Sequence, residues 1–327
     1  MMEHTTTAGV GNPTVCPLRI FMLINPAAGN TDLAALQAAT AATWGAAGLF
    51  YTIYQCRPED NLALIVRKAI DEGYTRIAAA GGDGTLTAVV NGLVNTGIPL
   101  GIIPAGTVNL VAHELGIPST WEAACRLLLE GGHICDVDAM RVGDKVFISH
   151  ISVGFYAQVL EATSPAQKKR WGHLAYLWQG IRLLLERTEN SWGTRQTRQP
   201  KQQHTTRFTL TVDRDRQIVD ASFILVANMG SLGRPQWRWG PNIHPDDQQL
   251  AVCIVQAQSA GDYGALLWRL LRNQHRQAPQ IRYLPAQHAV TIQNEEGLPV
   301  RGDGEIIGHD RVALQVLPRA VQVVVPR

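Results

Sequence analysis

"AAAGGDGTLTAVVNGL", residues 78–93, sets three glycines and one aspartate between an apolar run and a pattern of helical spacing. An apolar run that enters a glycine turn and opens a helix reads as a buried strand, its turn and the following helix. Glycine bares backbone N–H groups, and a helix N-terminus beside them makes an anion site. Asp83 stands at the centre of that turn, where a carboxylate repels a phosphate. An ordinary strand-to-helix turn, in which Gly-Asp-Gly is common, competes with the phosphate reading.

The same alternation extends on both sides. "RIFMLIN" (19–25) is a short apolar run closed by "PAAGN", and "TDLAALQAATAATW" follows with Ala and Leu at helical spacing. "FYTIYQC" has strand content, "EDNLALIVRKAIDEG" reads as a helix ended by Gly73, and "RIAAA" leads into Gly81. Beyond the opening stretch, "IPLGIIP" is a fourth strand, and "AGTVNLVAHELGIP" is a turn and helix. This order predicts an α/β fold with a doubly wound, largely parallel sheet, whose ligands bind beyond the carboxyl ends of the strands. The turns at 25–30, 81–85 and 104–109 all fall at such ends, so they are expected to meet at one cleft.

From Asp136 the pattern changes. "DVDAMRVGDKVFISHISVGF" and "TRFTLTVDRDRQIVDASFILVANMG" alternate in the manner of antiparallel strands. A second, mainly antiparallel β domain is predicted, with the boundary near Met140. The expected division is a disordered lead-in over 1–18, an α/β domain over 19–140 completed by 312–327, and a β-rich domain over 141–311. Between the two β stretches, Lys168, Lys169 and Arg170 precede Trp171, Leu174, Tyr176, Leu177 and Trp178. That mixture suits an anionic membrane surface, and equally a solvated helix start.

Composition narrows the classes. The 327 residues carry a net charge of +2 with 46% hydrophobic and 17% charged residues, so no overall preference for nucleic acid is implied. Five scattered cysteines without a CxxC pair argue for reduced thiols in a cytoplasmic protein. Residues 84–112 carry no charge, yet Asn91, Asn95, Pro99, Pro104 and Asn109 interrupt them, which favours a buried core over a membrane span. A homodimer is compatible with this chain. A P-loop is excluded, since no Lys lies between Ala78 and Leu110, and the dinucleotide fingerprint fails because its third glycine position is Thr87.

"NPAAGN", "GGDGTLTAVVNGL", "IIPAGTVNLVAHELGIP" and the late "DGE" (303–305) resemble, in that order, the diacylglycerol kinase catalytic-domain family. GGDGT alone also resembles NAD kinases and phosphofructokinases. The resemblance implies a lipid kinase using ATP and Mg²⁺, with the hydroxyl of a lipid such as diacylglycerol as acceptor. An NAD kinase-like enzyme, or a binding protein with little catalysis, is the alternative. By the same resemblance, Asn25, Cys56, Gly81, Gly82, Asp83, Gly84, Thr85, Leu86, Thr87, Ala88, Gly106, Thr107 and Asn109 line the ATP site. Asp83 and Asp138 join one magnesium and water network, and Asp247 holds a separate structural magnesium. Glu305 is the general base, with Asp303 its acidic neighbour. The implied location is cytoplasmic or peripheral at the inner membrane surface, through Lys168, Lys169 and Arg170.

Three positions depart from the family pattern. Cys56 stands where Thr is frequent, Leu110 where many members have an Asp in the water network, and Gln248 where Gly usually follows the aspartate.

Overall fold

The computed structural model describes residues 17–29, 31–154, 205–234, 237–240, 242–257, 259–272, 274, 277–303 and 305–327. The lead-in over 1–16 and the cluster Lys168, Lys169 and Arg170 lie outside them.

The first half is built from βα units. The strands are β1 (Arg19–Ile24), β2 (Phe50–Gln55), β3 (Arg76–Gly81) and β4 (Leu100–Pro104). They pair in parallel in the order β2-β1-β3-β4. Helices α1 (Leu33–Thr40), α2 (Leu62–Asp71), α3 (Asp83–Leu93), α4 (Leu110–Glu114) and α5 (Trp121–Glu130) connect or flank them. Alternation within each strand feeds two cores. Phe21, Leu23, Ile77, Ala79 and Ile102 meet Val66, Leu86, Val89, Val90 and Leu93 of α2 and α3. Ile20, Met22, Ile24, Ala78 and Ile103 face the other way, toward Leu36, Trp44, Ala124, Cys125 and Leu128. Each fully buried Leu or Ile contributes about 1.5–3 kcal/mol. Helices on both faces of a parallel sheet are the doubly wound arrangement.

The second half adds β5 (His133–Val142), β6 (Lys145–Phe147), β7 (His150–Gly154), β8 (Thr206–Val212), β9 (Asp215–Ala221), β10 (Phe223–Ala227), β11 (Ser231–Arg234), β12 (Trp237–Arg238) and β13 (Leu250–Val255). α6 (Ala260–Leu271), β14 (Ile281–Ala286), β15 (Ala289–Asn294), β16 (Pro299–Gly302), β17 (Glu305–His309) and β18 (Arg311–Val325) follow. One antiparallel sheet runs β14-β13-β10-β7-β16-β17. β18, β15, β8, β9, β5 and β6 extend the first sheet to ten, in the path β2-β1-β3-β4-β18-β15-β8-β9 with β5 on β18 and β6 on β5, while β11 and β12 pair only with each other. β18 is the splice: Val323 pairs in parallel with Leu100, while Gln315 pairs antiparallel with both Ala289 and Arg141. β5 runs through Met140 without a break. The two sheets close on a shared core of Phe208, Leu210, Val290, Ile292 and Leu314 against Ile151, Val153, Ile224, Val226 and Val252. Among the described residues, no helix is long and apolar enough to cross a membrane. Cys56, Cys125, Cys135 and Cys253 are free thiols.

Candidate active site

All three glycine turns of the first half meet. A Cβ on Gly106 would lie 2.5 Å from the Cα of Gly82, and one on Gly29 would lie 2.6 Å from the carbonyl of Ala105. Gly29 also needs its left-handed φ of +55°. Side chains complete the junction: Asn25 Nδ2 donates to Thr85 Oγ1 at 2.9 Å, and Asn109 both accepts from Gly106 N and donates to Gly106 O. Gly106→Ala is therefore expected to push the turns apart, at a stability cost of about 1–3 kcal/mol that thermal unfolding measures.

The N-terminus of α3 opens at this junction. Gly82 is its N-cap and supplies no side-chain hydrogen bond, while the first intrahelical N–H closes from Leu86 to the Gly82 carbonyl. The N–H groups of Asp83, Gly84 and Thr85 precede that first bond, as at any uncapped helix start. Gly84 and Thr107 are exposed, and a Cβ on Gly84 would meet open space. Thr85 is buried and its hydroxyl braces Asn25. Leu86 packs its side chain into the core and gives its N–H to Gly82.

Asp83 has a structural occupation that its sequence context does not reveal. Its two oxygens accept the N–H groups of Leu110 and Val111, each at 3.1 Å, and so cap α4 from the neighbouring turn. Burial raises the carboxyl above its ordinary range, against those two bonds, with Asp303 adding repulsion and His150 relieving it. Leu110, where an acid was expected, packs on the core and contributes its backbone N–H.

Asp303 binds the second half to α3. Thr87 Oγ1 donates to Asp303 Oδ2 at 2.6 Å, and the N–H groups of Ile148, Ser149 and His150 donate to the same carboxylate at 3.2, 3.2 and 2.9 Å. Asn91, one turn beyond Thr87, exchanges hydrogen bonds with the backbone of Val146 in both directions. Asp83, Thr87 and Asn91 thus stand at i, i+4 and i+8 on one face of α3. Those polar residues along one face of the helix were the available signal for a seam with the second half, and sequence reasoning passed over Asn91. It also passed over His150, whose Nδ1 lies 2.8 Å from Ser149 Oγ. Burial holds that imidazole below its ordinary pKa despite Asp303 and Asp83. Glu305 opens β17 with an exposed side chain.

Asp138 does not share the surroundings of Asp83. It is fully buried, and its oxygens accept the N–H groups of Arg319 at 2.7 Å and Gln248 at 2.5 Å. Burial raises its carboxyl, opposed by those two bonds, and Asp247 and Asp246 raise it further. Asp83 and Asp138 thus hold different backbone partners, Leu110 and Val111 for the first and Gln248 and Arg319 for the second. Among the described residues, no three His, Cys, Asp or Glu side chains form a group able to hold a metal. Asp247 accepts from Gln249 N and Nε2, each at 3.2 Å. Gln248 has φ +64°, a left-handed conformation that explains why glycine suits that position. Cys56 follows β2 half-buried, its thiol pushed by burial up to about 11, so it is no ready nucleophile.

Family comparison bears on this geometry directly. Residues 19–142 match the diacylglycerol kinase catalytic domain, and residues 149–325 match the YegS C-terminal NAD kinase beta sandwich-like domain. The chain belongs to the diacylglycerol kinase catalytic-domain family. A diacylglycerol kinase of Staphylococcus carnosus is 26% identical over 288 residues, covering 86% of each chain. The protein sll0036 of Synechocystis is 27% identical over 259 residues, 78% of this chain but only 56% of its own length. Among solved structures, one from Bacillus anthracis covers 99% of this chain and 98% of its own at a TM-score of 0.76 and 21% identity. A second, a diacylglycerol kinase of the same organism, gives 0.66 at 19% identity, covering 94% of this chain and 96% of its own. At those identities the structures speak for the fold, and the family supports a lipid kinase.

Proposed function

We propose that this protein transfers the γ-phosphate of ATP, with Mg²⁺, to the hydroxyl of diacylglycerol or a related lipid. One observation carries the reading: the open N-terminus of α3 and the hairpin bearing Asp303 and Glu305 are fastened to the same helix, through Thr87. The uncapped N–H groups of α3 and the exposed Thr107 suit the phosphates, whose approach the glycine contacts permit. A magnesium ion supplied with the nucleotide would neutralise phosphate charge, and Asp83, in the first turn of α3, is the acid proposed to meet it. A carboxylate retains acceptor sites beyond two N–H bonds, so capping α4 does not preclude that use. Glu305 takes the proton from the lipid hydroxyl, and the second half receives the acyl chains. Contact with a cytoplasmic membrane surface belongs to the same proposal and draws on Lys168, Lys169 and Arg170. Asp247 is the candidate ligand for a second, separate cation.

The test is incubation with labelled ATP, Mg²⁺ and a panel of diacylglycerol, sphingosine, ceramide and NAD. NAD belongs in the panel because the C-terminal match carries an NAD kinase-like sandwich. Product in a lipid lane supports the proposal. Phosphorylation of NAD alone, or ATP binding without any product, overturns it. Glu305→Gln is expected to lower transfer by about 10²–10⁴-fold. Its exposed position leaves the thermal midpoint and ATP affinity unchanged. Full activity in that variant removes Glu305 as the base.

A further inference from the structure

We infer, on the function proposed above, that Glu114 and Arg238 are positioning residues for the transfer. Their buried pair sets α4, and with it the turn at 104–109, against the second half. α4 is five residues long. A helix that short has no stability of its own, so whatever grips its two ends decides where it lies. Asp83 holds the N–H groups at its start, and Asn109, just before it, braces Gly106 in the turn. Glu114 is its last residue. An acid in the final turn opposes the helix dipole, and the Glu114 side chain is only 3% exposed. Local helix stability therefore does not account for it.

The partners of Glu114 do. Its Oε1 accepts from Arg238 Nη2 at 2.6 Å, and its Oε2 accepts from Arg238 Nη1 at 3.2 Å and from the Ser231 N–H at 2.8 Å. Ser231 and Arg238 are cross-strand partners in the β11–β12 ribbon, so one carboxylate grips both of its strands. Met229, just ahead of the ribbon, is buried in the core of the first half. The far side of the ribbon is tied to the second half. Arg238 Nη2 also donates to the Ile243 carbonyl at 2.6 Å, and Ile243 and Trp239 pack with Phe223, Leu225 and Cys253 of the six-stranded sheet. A Cβ on Gly230 would collide with the Arg238 guanidinium, so the fork lies directly on the backbone there. A buried ion pair adds little net stability over an apolar replacement, and its best-attested use is to fix register. The two-pronged fork suits that use, because planar donors fix direction as well as distance. One line of contacts thus runs from the turn at 104–109 through α4, Glu114 and Arg238 to the second half.

Hydrogen exchange and ATP titration of the full chain, both below the thermal midpoint, test the pair. Glu114→Gln keeps the shape of the side chain and removes its charge. The amides of 106–111 are expected to exchange at least about tenfold faster than in the wild type, with those of β1 and β3 unchanged. ATP is expected to bind about tenfold more weakly, while KM for diacylglycerol stays where it was. Arg238→Lys leaves a cation beside the buried carboxylate and removes the fork. If the fork sets α4, this variant also loosens 106–111 and weakens ATP binding, although its folded state is better preserved. Faster exchange at 106–111 with weaker ATP binding supports the inference even where no lipid is phosphorylated, an outcome that sinks the proposed function alone. Unchanged exchange at 106–111, exchange raised equally in β1 and β3, or an Arg238→Lys protein that binds ATP as the wild type does overturns the inference.

Discussion

Asp83→Asn is expected to lower phosphotransfer by about 10²–10³-fold and to lower stability by about 1–3 kcal/mol. The two losses have separate causes. In the folded chain each Asp83 oxygen holds one N–H at the start of α4. An asparagine offers one oxygen and turns its NH₂ toward the other donor, so one N–H of α4 is left facing a donor. The helix dipole of α4 also loses its compensating charge. The catalytic loss follows from the electrostatics: burial and Asp303 both disfavour the negative charge of Asp83. On the proposed function, Asp83 would regain that energy by holding a divalent cation bound with ATP, and the asparagine would forfeit the attraction. Thermal unfolding reads the first effect, and transfer rates below the variant's midpoint read the second. A lowered midpoint with an unchanged rate would leave Asp83 as a helix cap and nothing more.

The capping of α4 gives a structural reason for a carboxylate in this glycine turn, and it marks where sequence reasoning stops. The alternation of buried strand, glycine turn and helix was legible because parallel strands covered on both faces read as unbroken apolar runs. "RIFMLI" and "RIAAAG" are such runs, and each ends at a turn of the junction. The partners of the acids were not legible. Asp303 takes N–H groups from 148–150, and Asp138 takes them from Gln248 and Arg319, donors that lie far along the chain and carry no side-chain signature. Sheet membership was hidden for a similar reason. β7 and β8 alternate alike, yet one lies in the six-stranded sheet and the other pairs with β15 in the ten-stranded one. Only register between distant strands decides that. Leu110 shows the converse: its side chain drew notice, while its backbone N–H, which any non-proline residue brings, is what Asp83 holds.

Asp303 and Thr87 permit the sharpest separation of positioning from binding. Asp303→Ala leaves the N–H groups of Ile148, Ser149 and His150 without their acceptor and removes the bond by which Thr87 holds the hairpin to α3. A stability loss on the order of 3 kcal/mol is expected, with transfer reduced to background because Glu305 stands two residues away on the same hairpin. Such a variant alone cannot separate a displaced base from a loosened fold. Thr87→Val can. It keeps the shape of the side chain and removes one hydroxyl, whose 2.6 Å bond to Asp303 fastens the hairpin to the helix that opens on the phosphate turn. A stability cost of about 1 kcal/mol is expected. If Thr87 acts through Asp303, kcat falls about tenfold or more, as a small misplacement of reacting groups predicts, and KM for ATP stays where it was. If Thr87 instead touches the nucleotide, as the family resemblance implies, KM for ATP rises and kcat is spared. The hydroxyl's contact with Asp303 favours the first outcome, and the KM-against-kcat split decides between them.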